Sequence, residues 1–242
     1  MTYREPELDE IKKRINSVRK RISQAARKAG RDPSDIRLLA VTKTHGPELV
    51  KKAISAGLGL FGENYIQEAK DKIEAIGGVA SQVKWHFIGH LQRNKAKWGA
   101  ALFECVQTVD NKKLAEALDR HAKNQGKVLS ILCQVNLAGE TQKSGASPDD
   151  LPALLEHIMT LPHLSLEGLM LVPPYNPDPE ATRAWFAGLR RLRDKLSIQM
   201  GLQEQLRELS MGMTHDFEVA IEEGATIIRV GTALFGPRVC KR

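Results

Sequence analysis

The chain has 242 residues, 42% hydrophobic but only 5% aromatic, so a core of one large domain or two small ones must be built mainly from Leu, Ile, Val and Ala. No uninterrupted apolar stretch reaches the roughly 20 residues of a membrane span. The polar opening Met1-Thr2-Tyr3-Arg4-Glu5-Pro6 is unlike a secretory signal, which predicts a cytoplasmic protein with no membrane partner.

A net charge of +7 raises nucleic acid as a partner, carried by Lys12-Lys13-Arg14, Arg19-Lys20-Arg21 and Arg190-Arg191. Helical spacing argues against it. In the first element, from about Glu7 to Ala29, Ile11, Ile15, Val18, Ile22 and Ala26 recur every three or four residues, and Trp185, Leu189, Leu192 and Leu196 repeat the pattern later. The basic residues therefore occupy solvated faces of amphipathic helices, with no aromatic interleaving for base stacking.

Eight β-rich runs follow, at 36–43, 58–64, 83–89, 102–109, 128–137, 164–172, 208–213 and 226–235. Pro47, Ser147-Pro148 and Asp178-Pro179 mark helix starts between them, and Gly57, Gly126 and Gly224 mark helix ends just before strands. One helical segment per interval is the crossover that parallel strands require. Eight such units predict a single-domain (β/α)8 TIM barrel over residues 35–242, with an extra N-terminal helix in residues 1–34 packing on it. An open doubly wound sheet would call for a GxGxxG loop after its first strand, where this chain has Thr44-His45-Gly46. Pro237 to Arg242 leaves no room for an eighth C-terminal helix, so the N-terminal helix is expected to cover that gap.

The three cysteines lack CxxC spacing. Cys105 and Cys133 read as small core hydrophobes and Cys240 as a free thiol in the tail. The seven histidines make no metal site: His86 and His90 are four apart, but Gly89 ends the strand between them. Ser144 and Ser147 have no base near them in sequence, which leaves a hydrolase triad unsupported.

In a βα barrel the chemistry sits where the C-terminal ends of the strands converge. Strand one delivers Lys43 there; strand two Glu63 and Asn64; strand three His86; strand five Asn136; strand six Met170; strand seven Ser210, Met211 and Gly212; strand eight Arg229, Gly231 and Thr232. An amine at the mouth of a buried strand loses solvation, and the free amine can then attack an aldehyde such as that of pyridoxal phosphate. The alternative is a lysine that snorkels to solvent. Ser210-Met211-Gly212 and Arg229-Val230-Gly231-Thr232 could turn hydroxyls and N–H groups on one phosphate, or serve as local turn residues. Arg229, in an apolar run, needs an acceptor: a carboxylate, or a heteroaromatic nitrogen whose protonation it would oppose. His86 is either a core histidine or a group facing a cofactor ring.

These segments resemble the pyridoxal phosphate homeostasis protein family, a single-domain relative of the bacterial alanine racemase barrel. The resemblance runs from about Ile36 to Arg238. It is carried by Ala40-Val41-Thr42-Lys43, Phe61-Gly62-Glu63-Asn64-Tyr65, Trp85 to Lys95, Lys143-Ser144-Gly145, Gly168-Leu169-Met170, Leu209 to Met213 and Arg229 to Gly236. It implies a pyridoxal 5'-phosphate cofactor, held as a Schiff base on Lys43. It also implies Arg229 at the pyridine nitrogen, Ser210, Gly231 and Thr232 on the phosphate, and Asn64, His86 and Met211 lining the pocket. Thr214 stands where the family usually has serine, which keeps the hydroxyl.

The family lacks the second, mostly β domain that gives racemases their opposite tyrosine base. A carrier that balances pyridoxal phosphate and amino and keto acid pools is therefore expected, without catalytic residues, as a monomer, with pyridoxal phosphate-dependent apoenzymes as partners. The alternatives are a single-domain racemase and, more weakly, a class I aldolase.

Overall fold

The structure is a computed structural model that describes residues 6–140 and 144–237. Lys143, Arg238 and Cys240, singled out above, lie outside the described residues.

Eight parallel strands close into a barrel in sequence order: β1 (Arg37–Val41), β2 (Leu60–Glu63), β3 (Lys84–Phe87), β4 (Cys105–Val109), β5 (Leu129–Val135), β6 (Leu164–Leu171), β7 (Glu208–Met213) and β8 (Ile227–Val230). Closure comes from β1 against β8, with Arg37 opposite Ile227 and Ala40 opposite Val230. The expected TIM barrel is borne out. Each strand is shorter than or equal to its apolar run, and the largest difference is at the end. The run 226–235 is a four-residue strand, a break at Gly231 (φ −117°, ψ −74°) and a one-turn helix, α9 (Thr232–Phe235).

The outer layer holds α1 (Leu8–Lys28), α2 (Pro47–Ser55), α3 (Ile66–Ile76), α4 (Ala96–Leu102), α5 (Lys112–Lys123), α6 (Leu151–Met159), α7 (Arg183–Met200) and α8 (Phe217–Glu222). Side chains alternate across each strand, which divides the apolar residues into two sets. Leu39, Val41, Cys105, Leu132, Met170 and Ile227 fill the barrel interior. Phe61, Phe87, Leu209, Met211, Val230 and their neighbours face outward and merge with the helices into one larger core.

The N-terminal helix α1 buries Ile11, Ile15, Val18 and Ile22 and packs chiefly on α8 and α9. Burial of each such side chain contributes roughly 1.5–3 kcal/mol. Several cations on its other faces are taken up by carboxylates of α8: Arg21 by Glu218 at 2.5 Å and Lys28 by Glu222 at 2.7 Å. On α7, Arg183 and Arg190 reach Glu223 at 3.0 and 2.9 Å. Arg21, Lys28, Arg183 and Arg190 are thus used between helices. No helix among the described residues is long and apolar enough to cross a membrane.

Candidate functional site

The C-terminal mouth gathers residues by strand order. Because β8 lies beside β1, Gly231 is set against Val41: a Cβ at Gly231 would stand 3.3 Å from the Val41 carbonyl oxygen. Lys43, two residues past β1 and half-buried, therefore shares this rim with Gly231 and α9. The N–H groups of Gly231 and Ala233 both point at one oxygen, Thr214 Oγ1, at 3.3 and 3.4 Å. Two N–H groups converging on one oxygen make an arrangement that suits an anion, and the oxygen they hold here is the Thr214 hydroxyl. Thr232 is exposed at the same rim.

The turn that carries Lys43 is held tightly. Thr44 has φ +67°, the only non-glycine positive φ among the described residues, a conformation that costs about 1–3 kcal/mol for a β-branched residue. Its N–H donates to Glu68 Oε1 at 2.6 Å. On its other side His45 is buried and its ring lies 5.4 Å from that of Phe235 in α9, tying the lysine turn to that helix. Asn64, at the end of β2, has a buried Oδ1 with no partner among the described residues, a costly state for a polar atom away from water.

Beneath the mouth, polar side chains run through the barrel interior. Arg229 donates from Nη1 to Ser210 Oγ at 2.8 Å and from Nη2 to the Leu171 carbonyl at 2.8 Å. Ser210 donates to Gln107 Oε1 at 2.6 Å, and Gln107 Nε2 lies 2.8 Å from His86 Nδ1. Every bond points the same way, so His86 accepts at Nδ1 and carries its proton on Nε2. Burial, and then the positive Arg37 and Lys84, push the His86 pKa down to about 3, so the imidazole is neutral. Burial also lowers Arg229 to about 10, against the attraction of Asp216, which leaves the guanidinium charged at neutral pH.

Three of the expected site residues take the following places. Ser210, expected on the phosphate, is fully buried with its hydroxyl committed between Arg229 and Gln107. Inward-facing residues of this layer meet one another below the rim. Met211, expected to line the pocket, is the outward member of the alternation and belongs to the core under the helices. His86, expected at the cofactor, lines a cavity of about 180 Å³ at the opposite mouth, with Arg37, Lys84, Cys105 and Glu208 among its walls. Lys43, Asn64, Gly231 and Thr232 follow the C-terminal ends of β1, β2 and β8, and Arg229 lies inside the barrel below them.

The sequence reading passed over Gln107 and Lys72 and gave Thr214 no role. Gln107 is the one amide in the apolar run 102–109, and strand alternation would have turned it inward with Cys105. Thr214 is a hydroxyl directly after Gly212-Met213, at the start of a βα loop. Ser144 Oγ, without a base near it in sequence, lies 2.9 Å from His90 Nδ1. With Gly145 N–H reaching Asp110 Oδ2 at 3.2 Å, this contact fastens one rim loop to its neighbours.

A closed parallel barrel with a lysine and two converging N–H groups on adjacent strand ends defines a protein of the alanine racemase barrel class, and the model of the alanine racemase N-terminal domain matches residues 10–239. A pyridoxal phosphate homeostasis protein of Aquifex aeolicus is 42% identical over 225 residues, covering 93% of this chain and 97% of that protein. The Pseudomonas aeruginosa protein of the same name is 45% identical over 228 residues, 94% of this chain and 96% of that one. Among solved structures, PipY of Synechococcus elongatus with pyridoxal phosphate bound superposes with a TM-score of 0.82 at 37% identity, over 93% of this chain and 100% of PipY. An alanine racemase of Clostridium difficile shares the fold at a TM-score of 0.71 and 14% identity, with 97% of this chain covering 58% of the racemase. The chain belongs to the pyridoxal phosphate homeostasis protein family.

Proposed function

We propose that this protein binds pyridoxal 5'-phosphate at the C-terminal mouth, through a Schiff base to Lys43, and serves cytoplasmic vitamin B6 and amino and keto acid homeostasis as a carrier. The observation that carries the reading is that Lys43, Thr214 and the Gly231 and Ala233 N–H groups follow the ends of the neighbouring strands β1, β7 and β8. Two N–H donors and two hydroxyls suit a phosphate monoester, and the orphaned Asn64 Oδ1 offers an acceptor at the end of β2. When bound, the group supplies an aldehyde with which amines condense, releasing water, and a ring that absorbs visible light.

The chain's own residues divide the work. Gly231, Ala233, Thr214 and Thr232 hold the phosphate end; Lys43 supplies the amine. Arg229, charged and fixed by Ser210 and Leu171, opposes protonation of the ring nitrogen and so keeps the ring a weak electron sink. That favours holding amines over labilising their α-protons. In this role the protein acts as a monomer that exchanges cofactor with pyridoxal phosphate-dependent apoenzymes.

Borohydride reduction followed by peptide mapping tests the attachment: the adduct is expected on Lys43, and an adduct mainly on another lysine would overturn it. Incubation with L-alanine, L-serine and L-glutamate in deuterated water tests the carrier assignment. Sustained multiple-turnover α-proton exchange that vanishes in Lys43→Ala would make the protein an enzyme.

A further inference from the structure

We propose that Lys72, together with Glu63 and Glu68, is a positioning group for Lys43: an ion triad outside β2, buried at Lys72 and Glu63, grips the main chain on both sides of the lysine and aims its amine. The inference rests on the assignment of Lys43 as the cofactor-holding residue.

Lys72 sits on α3 with 3% of its side chain exposed. Its ammonium donates to the Thr42 carbonyl at 2.8 Å, to Glu63 Oε1 at 2.5 Å and to Glu68 Oε1 at 2.9 Å. These three acceptors match its three donors. Glu63, with no side-chain exposure, also accepts the Thr42 hydroxyl at 2.6 Å, and Glu68 accepts the Thr44 N–H at 2.6 Å. The residue before Lys43 is therefore held at its carbonyl and hydroxyl, and the residue after it at its N–H. Thr44 is also the strained residue, and such backbone persists only where its surroundings over-determine it.

Stability alone is a poor account of the triad, since buried ion pairs are commonly replaceable by apolar residues without loss. Glu63 illustrates this: its Oε2 is buried without a partner among the described residues, and burial raises its pKa despite Lys72. The charged groups direct their hydrogen bonds at the two peptides flanking Lys43.

The test uses the full chain stripped of cofactor. Covalent capture of pyridoxal 5'-phosphate is followed by stopped-flow absorbance, and binding of 4-deoxypyridoxine 5'-phosphate, which lacks the aldehyde, by calorimetry. Glu68→Ala removes the Thr44 anchor at a side chain that is 28% exposed, so the fold tolerates it. Capture is expected to slow by about tenfold to a hundredfold, as for a misplaced reacting group, with analogue affinity and apo melting temperature essentially unchanged. Glu68→Gln, which keeps an acceptor for Thr44, should restore most of the rate. The double variant Glu63→Leu with Lys72→Met removes both buried charges together and should also capture slowly. Unchanged capture in Glu68→Ala and in the double variant would overturn the proposal. So would a parallel loss of analogue affinity, which would make the triad part of the pocket wall. Failure of the wild type to form any adduct on Lys43 would instead reject the assignment of Lys43 itself.

Discussion

Arg229 Nη1 lies 2.8 Å from Ser210 Oγ, and both side chains are buried below the rim that carries Lys43 and Gly231. This contact separates two jobs that a strand-end serine could have done. The hydroxyl of Ser210 fixes a cation inside the barrel, and the hydroxyl that meets the Gly231 and Ala233 N–H groups at the rim is that of Thr214.

Thr214→Val and Ser210→Ala should therefore differ in kind. Loss of the Thr214 hydroxyl is expected to weaken cofactor retention by about 1.5–3 kcal/mol, the scale of a hydrogen bond to a charged group, with little change in melting. Loss of the Ser210 hydroxyl leaves Gln107 Oε1 and Arg229 Nη1 short of a partner and should destabilise the apo fold by roughly 1–3 kcal/mol. Off-rates into an apo-enzyme trap and urea unfolding of both variants decide the matter. Equal retention defects with equal stability would place Ser210 on the phosphate after all.

Acid should attack the barrel through His86. Its folded pKa, about 3, is depressed from the ordinary 6.5 by burial, so the unfolded chain binds the proton more readily between those values. Its contribution is present above pH 6.5 and is lost as pH falls toward 3, with a slope of at most about 1.4 kcal/mol per pH unit. His86→Gln keeps an acceptor for Gln107 without titrating. Urea unfolding from pH 7 to pH 4 should give a flatter stability curve for this variant than for wild type; identical slopes would assign the acid loss to other groups.

The interface of α1 can be probed at its centre. Ile15 has no exposure, and Ile15→Ala should cost about 2–5 kcal/mol through lost burial and the cavity left behind. Denaturant unfolding gives the value directly. A loss below about 1 kcal/mol would mean that the helix contributes little to the barrel's stability.

Cys105 and Cys133 should be silent toward thiol reagents in the native state. Both are buried, and burial pushes both thiols well above their ordinary range, so thiolate is scarce at neutral pH. Mass mapping after iodoacetamide treatment should find them modified only once urea has unfolded the chain. Labelling at native rates close to those of a free peptide would contradict the burial.

The barrel was legible because its signal is repeated: eight apolar runs, each followed by helix punctuation, leave few alternatives. Lys43, Arg229 and Gly231 were legible because each departs from the pattern around it. Side-chain direction was harder to read. Ser210 and Met211 are neighbours in the sequence, and nothing local says which of them faces inward or how far below the rim it lies. Their placement depends on β7 pairing with β8 across an irregular register between Ser210 and Met213. Gln107 and Ser210 are 103 residues apart, and Lys72 meets Thr42 across 30. Such contacts exist only once the barrel has closed. The break at Gly231 was hidden for a similar reason, since Thr232 to Phe235 reads as strand by composition and turns helical where the chain leaves the sheet.

The side of β2 on which Glu63 falls has a consequence for assembly. A strand shifted by one residue turns every side chain to the other face. For β2 such a slip would drive the Glu63 carboxylate into the barrel interior, bring Asn64 out beneath α3, and leave Lys72 with Glu68 as its one carboxylate partner beside the Thr42 carbonyl. Phe61, now opposite Trp85 on β3 with its ring 5.3 Å away, would lose that contact as well. A one-residue shift of β2 in either direction between β1 and β3 separates the Glu63 carboxylate from Lys72. The acid and the base thus act as a registration key, and a chain that closes its barrel out of step meets its penalty at the segment from which Lys43 projects.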